Sequence, residues 1–161
     1  MAKKQNMEKT NAMRKLDAMK LSFGEYTYES DGSQTGLEIS RMLGQDPDRV
    51  FKTLVTTGAS GGHYVFVIPV AEELDLKKAA KAAGDKNMAL IPVKDLLPLT
   101  GYIRGGCSPV GMKKKYPTFL DETAELWEEI AVSAGARGHQ MILPPMDLAE
   151  LIDAGIVDIT L

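Results

Sequence analysis

The chain is poor in the side chains that most enzymes use for chemistry. It holds one cysteine and two histidines among 161 residues. A single cysteine excludes an internal disulfide and suits a reducing cytoplasm. Cys107, His63 and His139 stand far apart, with none of the spacing of a zinc site. There is no Gly-x-Gly-x-x-Gly or phosphate-loop signature and no Gly-x-Ser-x-Gly elbow. Neither a metal, nor a cofactor, nor a protein nucleophile with a paired base is therefore expected. No apolar run has the length of a signal peptide or a membrane span. The net charge of -3 argues against coating nucleic acid through bulk positive charge, although a local basic patch stays open.

What is present is ordinary for a globular domain: 44% apolar and 25% charged residues. Residues 1–9, polar and lysine-rich, are expected to be a flexible N-terminus, with one domain over 10–161. Helices are predicted over Thr10–Lys20, Thr35–Leu43 and Leu74–Ala83, with Thr10 or Asn11 capping the first and Asp75 the third. Asp46-Pro47 opens a helical turn. Another helix begins near Pro92, Asp121 caps one through Trp127, and Asp147 caps a last one to Ala154. Strands are predicted over Ser22–Glu29, Val50–Thr57, His63–Val70, Met88–Leu90, Thr118–Leu120, Ile130–Ser133, Gln140–Leu143 and Ile156–Ile159. The interleaving predicts an α+β single domain with a mixed, strongly bent or barrel-like β-sheet flanked by helices.

The densest signal is Gly101–Phe119. It combines a strand-like start, a Gly105-Gly106 pair, a Ser108-Pro109-Val110-Gly111 turn and the run Lys113, Lys114, Lys115. Glycine lets backbone approach a ligand closely, and exposed N–H groups there can hold an anion or a polarised carbonyl oxygen. Cys107 is either a nucleophile in the loop or, as read here, a small packed loop residue. Lys52 interrupts an apolar strand; it serves either as an edge lysine that discourages aggregation or as the holder of a phosphate or carbonyl oxygen. Tyr28 and Ser133 end strands, where each is a pocket hydroxyl or an ordinary surface group. Arg137 is a phosphate contact or a solvated turn residue.

Four segments fall in one order: Val50-Phe51-Lys52-Thr53-Leu54, Leu74–Ala80, Thr100–Gly111 and Ser133–Gly138. Together they resemble the YbaK/EbsC proteins, which are related to the editing domain of bacterial prolyl-tRNA synthetase. The resemblance covers the chain after about Thr10. It implies a trans-acting deacylase that clears cysteine from tRNA(Pro), and in some members from tRNA(Cys), often beside prolyl-tRNA synthetase. It implies that the substrate's own thiol attacks the ester, so that the enzyme positions rather than attacks. Lys52 would then anchor and orient the aminoacyl-adenosine end, with Thr53 assisting. Gly105 and Gly106 would offer N–H groups to the carbonyl oxygen. Tyr28, Ser108, Ser133 and Gln140 would meet the substrate, and Lys113, Lys114, Lys115 and Arg137 the tRNA. Two positions depart from the cysteine-specific pattern: Gln140 replaces an aspartate and Thr35 an aromatic, and both bear on substrate choice. The rivals are a hydrolytic Ala-tRNA(Pro) editing enzyme of the same fold and a non-catalytic RNA- or nucleotide-binding module.

Overall fold

The structure, a computed structural model, describes residues 9–161. The expected flexible terminus, apart from Lys9, lies outside the described residues. Local capping signals set the helices. Thr10 accepts a hydrogen bond from the Met13 N–H (3.1 Å) and starts α1 (Asn11–Ala18), which buries Ala12, Met13 and Leu16. Thr35 and Glu38 form a reciprocal capping box at the head of α2 (Gly36–Met42), with bonds of 3.1 and 2.8 Å. Asp75 accepts from the N–H groups of Lys77 and Lys78 to start α3 (Leu76–Ala83), which Gly84 closes. The segment after Pro92 becomes a 3-10 turn and then α4 (Leu96–Thr100).

Two helical expectations shift. The last helix, α5 (Pro145–Ile152), begins two residues before Asp147, which sits inside its first turn and does not cap it. Proline at the first helical position explains this, because its fixed φ suits the helix and its missing N–H has no intrahelical partner to lose. The segment after Asp121 is a 3-10 turn, Glu122–Leu126, not an α-helix.

The strands are β1 (Gly24–Thr27), β2 (Phe51–Gly58), β3 (His63–Pro69), β4 (Met88–Leu90), β5 (Thr118–Asp121), β6 (Ile130–Ser133), β7 (His139–Leu143) and β8 (Gly155–Val157). The interleaved α+β class is as expected. The β structure divides into two sheets, however, and does not close into a barrel: one has the order β4-β2-β3-β5-β8, the other β1-β7-β6. β2 and β3 form an antiparallel hairpin, Phe51 opposite Pro69 through Thr57 opposite His63. β5 joins β3, and β8 joins β5, in parallel.

β3 shows why the larger sheet holds. Val65 and Val67 point into the main core with Met13, Leu16, Met141 and Leu148. Phe66 and Ile68 point the other way, onto Ala79 and Ala80 of α3. Both faces are covered, so the strand is apolar throughout. Each such side chain contributes about 1.5–3 kcal/mol on burial.

The two sheets pack together in the main core, and among the described residues one parallel bridge, between Val50 and Ala131, joins their strands. Val50, Val70 and Ala131 form a separate small apolar cluster there. Past this bridge β2 and β6 form no further ladder.

A buried carboxylate is among the groups that fasten the last residues, with the Leu74–Thr160 bridge and the Lys78–Asp158 pair. Asp121 is fully buried; one oxygen accepts from the Ile159 N–H (3.1 Å) and the other from the N–H and hydroxyl of Thr123. Replacing Asp121 by alanine strands those donors, and urea unfolding is expected to show a loss on the order of 3 kcal/mol. A loss below about 0.5 kcal/mol would show that the carboxylate fastens nothing.

Candidate functional site

A cleft of about 330 Å³ lies along residues 50–54, beyond the Val50–Ala131 bridge. β4 pairs β2 only from Thr56 onward, so the edge of β2 from Phe51 to Leu54 has no strand beside it. Val50 gives its carbonyl to Val70 of the hairpin, and Val55 gives its carbonyl outward to Ile91. Backbone groups alternate in direction along a strand, so Phe51 and Thr53 face outward with Val55. Successive residues 50–54 thus all reach the cleft, from both faces of one strand. Ser133 and Gln140 close it from the other sheet.

Lys52 lies half-buried in this wall. No carboxylate lies within ion-pair distance of it among the described residues, and no Asp or Glu lines the cleft. Burial holds its ammonium below the ordinary lysine value, against the raising influence of Glu73 and Glu72. Thr53, beside it, has a buried hydroxyl with no hydrogen-bond partner among the described residues. A cation and an unspent hydroxyl therefore share one wall. That combination suits a ligand with negative charge or polarised oxygen.

The glycine loop supplies the opposite rim. Gly106 donates its N–H to Ile103 (2.9 Å), closing a four-residue turn. Gly105 takes the third position at φ +88°, which glycine favours. This corrects the expectation that both glycines offer N–H groups: the Gly106 donor is spent inside the turn. The Gly105 N–H has no acceptor among the described residues, and Gly105 lines the cleft. Gly106 is needed for packing, since a Cβ there would stand 3.0 Å from the Arg137 nitrogen and 3.1 Å from the Ala136 carbonyl carbon.

Residues 32–151 match the family model of the aminoacyl-tRNA editing domain. The chain belongs to that family. It is 47% identical over 161 residues to EbsC of Enterococcus faecalis, a proposed Cys-tRNA(Pro)/Cys-tRNA(Cys) deacylase, with 99% of this chain and 98% of that protein covered. Its fold is similar to the crystal structure of a proposed trans-editing enzyme for prolyl tRNA synthetase (TM-score 0.79, 25% identity, 96% and 99% of the two chains covered). It is also similar to that of a hypothetical protein (TM-score 0.86, 22% identity, 94% and 100% covered).

Seen as an editing domain, the chain brings together half of the residues singled out from sequence. Lys52, Thr53, Tyr28, Gly105, Ser133 and Gln140 all line the cleft. Tyr28 is half-buried; burial raises its pKa, with the Gly138 backbone acting the other way. Ser108 is not brought there. It is fully buried, and its hydroxyl accepts from the Val110 N–H (3.2 Å) inside the turn. Lys114 and Lys115 line a separate shallow groove with Lys15, Leu151 and Ile152, and Lys113 is exposed on the same run. Arg137 is exposed at the rim. It donates to the Arg104 carbonyl (2.8 Å) and the Asp31 carbonyl (3.3 Å), tying two cleft loops together.

Cys107 was expected as loop packing, yet it also lines the cleft. Burial pushes its thiol up to about 12, with the Thr100 hydroxyl opposing. It is therefore a neutral thiol near pH 7 and a poor nucleophile. Gln34 and Arg104 join the lining as well. Sequence carried no signal for them, because their place depends on how two loops meet.

The depressed Lys52 pKa has a stability consequence. The burial penalty on the ammonium is fully present below its folded-state pKa. It is relieved as pH rises from that value toward the unfolded lysine value of 10.5. Lys52→Met is therefore expected to melt higher than the native chain at pH 7, and its advantage to shrink above the folded-state pKa. Melting curves from pH 6 to 10.5 check this; a variant less stable at pH 7 would contradict it.

Proposed function

We propose that the protein is a trans-editing deacylase that cleaves the ester of Cys-tRNA(Pro), and of Cys-tRNA(Cys), at this cleft. The observation that carries the reading is a cleft with a cation and free donors but no carboxylate and no activated nucleophile. Support also comes from the name and the 47% identity of the Enterococcus faecalis relative. Such a site offers no protein group suited to attack an ester. It can hold one while the substrate does so.

In the proposed reaction the cysteine sulfur attacks the ester carbonyl carbon. The C–S bond forms, the bond to the ribose oxygen breaks, and the thiol proton ends on that oxygen. Cysteine leaves as a cyclic thiolactone and the tRNA end is freed. Lys52 holds the terminal nucleotide and orients the ester, with the Thr53 hydroxyl beside it. The Gly105 N–H meets the carbonyl oxygen as negative charge develops. Tyr28 and Ser133 bound the amino-acid end. Arg137 and the lysines 113–115 meet the tRNA backbone, the lysines from their groove outside the cleft, and prolyl-tRNA synthetase is the expected partner. Cysteine and proline are close in size, so a synthetic site discriminates weakly between them and a second site is required.

A deacylation panel with purified protein tests this. Cys-tRNA(Pro) is expected to be cleaved and Ser-tRNA(Pro), of nearly the same shape but without a thiol, to be spared. Cleavage of Ala-tRNA(Pro) alone would establish the hydrolytic rival, and tRNA binding without turnover the non-catalytic one. Lys52→Ala is expected to lower kcat/KM about 100-fold or more. Cys107→Ala should stay within about threefold of native, as befits a group outside the chemistry. A Cys107→Ala protein that folds but has no activity would mean that the enzyme, not the substrate, supplies the nucleophile. Neutralising Lys113, Lys114 and Lys115 together should raise KM and flatten its salt dependence with kcat kept.

A further inference from the structure

Gln140 is almost fully buried on β7 and lines the cleft. Behind it lies Gln45, which the proposed reaction does not use. Gln45 follows α2, where its backbone N–H is fixed on the Ser40 carbonyl (2.8 Å). Its side-chain Nε2 donates to Gln140 Oε1 at 2.7 Å. Its own Oε1 is buried with no partner among the described residues. Gln45 also lines a second cavity, of about 530 Å³, with Arg49 and Trp127. The pair therefore links the cleft to a cavity in the protein behind it.

A carboxamide has one accepting end and one donating end. Gln45 occupies the accepting end of Gln140 from behind. The group left for the cleft is the Gln140 NH₂, a donor. We propose that Gln45 is a positioning residue that fixes Gln140 as a hydrogen-bond donor, so that this wall selects an acceptor oxygen of the aminoacyl ester. A carboxylate at position 140 would instead present acceptors and attract the substrate's ammonium. The pairing thus bears directly on which part of the aminoacyl group this wall reads. The inference rests on the deacylase reading for its substrate, but not for the side-chain geometry.

Two variants and one spectrum test it. Gln45→Glu offers only acceptors when ionised, so Gln140 must turn its NH₂ backward and its oxygen toward the cleft. Gln45→Leu leaves Gln140 without a brace. KM for the cleaved aminoacyl-tRNA is expected to rise at least about fivefold in Gln45→Glu, and less in Gln45→Leu, with kcat changing less than KM. In ligand-free protein, NMR should show the Gln45 side-chain amide protons exchanging slowly with water, and exchanging faster in Gln140→Ala. Native KM in Gln45→Glu would overturn the proposal, since Gln140 would then already present its oxygen. Equal losses in both variants that track a lower melting temperature would also overturn it, leaving Gln45 a packing residue. If native protein cleaves no aminoacyl-tRNA, the functional reading fails by itself. The exchange measurement then decides the brace: fast Gln45 amide exchange refutes it, and slow exchange that Gln140→Ala accelerates sustains it.

Discussion

Everything at the site depends on one junction, the bridge between Val50 and Ala131. Had pairing continued from that bridge, β2 and β6 would have zipped into one continuous sheet. The outward backbone of Phe51 and Thr53 would have been spent on β6. Instead the ladder stops there, beside the small apolar cluster of Val50, Val70 and Ala131. An open strand edge is normally a liability because it invites another chain to pair. Here it is recessed into the fold, with α2 and the glycine loop covering it from either side. The cleft is the unpaired part of a sheet that divides.

That geometry explains how a chain of net charge -3 makes a site fit for an anionic or ester-bearing ligand. Among the described residues no acidic side chain enters the lining, while Lys52 and Arg104 are admitted. Burying the Lys52 charge opposes folding, as its lowered pKa records. The unpartnered Thr53 hydroxyl is a second local cost. Two adjacent groups that each disfavour the folded state are difficult to explain by stability. They make sense where a ligand supplies the missing partners. Cys107 belongs to the same cleft but plays the opposite part. Its thiol is held neutral by burial, which makes it a poor nucleophile.

What could be read from sequence was local. The caps at Thr10, Asp46, Asp75 and Asp121 stand where side-chain chemistry put them, because a cap is decided within three or four residues; at Asp147 the neighbouring prolines started the helix earlier. The ordered segments that carry the family resemblance also gave Lys52, Thr53, Tyr28, Ser133, Gln140 and Gly105 as one site. The division into two sheets was not legible. It follows from the parallel pairings β3–β5 and β5–β8, which join distant segments. The miss at Gly106 has a similar cause. Composition shows that a glycine pair frees the backbone, but only the turn shows that the Gly106 N–H is already bound to Ile103. Ser108 faces inward for the same reason, its hydroxyl held by the next turn of its own loop.

The two departures from the cysteine-specific pattern, Thr35 and Gln140, are tied to a single short helix. Thr35 caps the head of α2 and lines the cleft. Gln45, just beyond the tail of α2, holds Gln140. An aromatic residue at position 35 would fill part of the cleft but could not cap, at a cost of about 1 kcal/mol. That loss would loosen the element whose far end carries Gln45. A change at either end of α2 therefore reaches the amino-acid end of the cleft by two routes, one through shape and one through the Gln45–Gln140 pair. The two positions that depart from the cysteine-specific pattern are thus coupled through the α2 segment and β7.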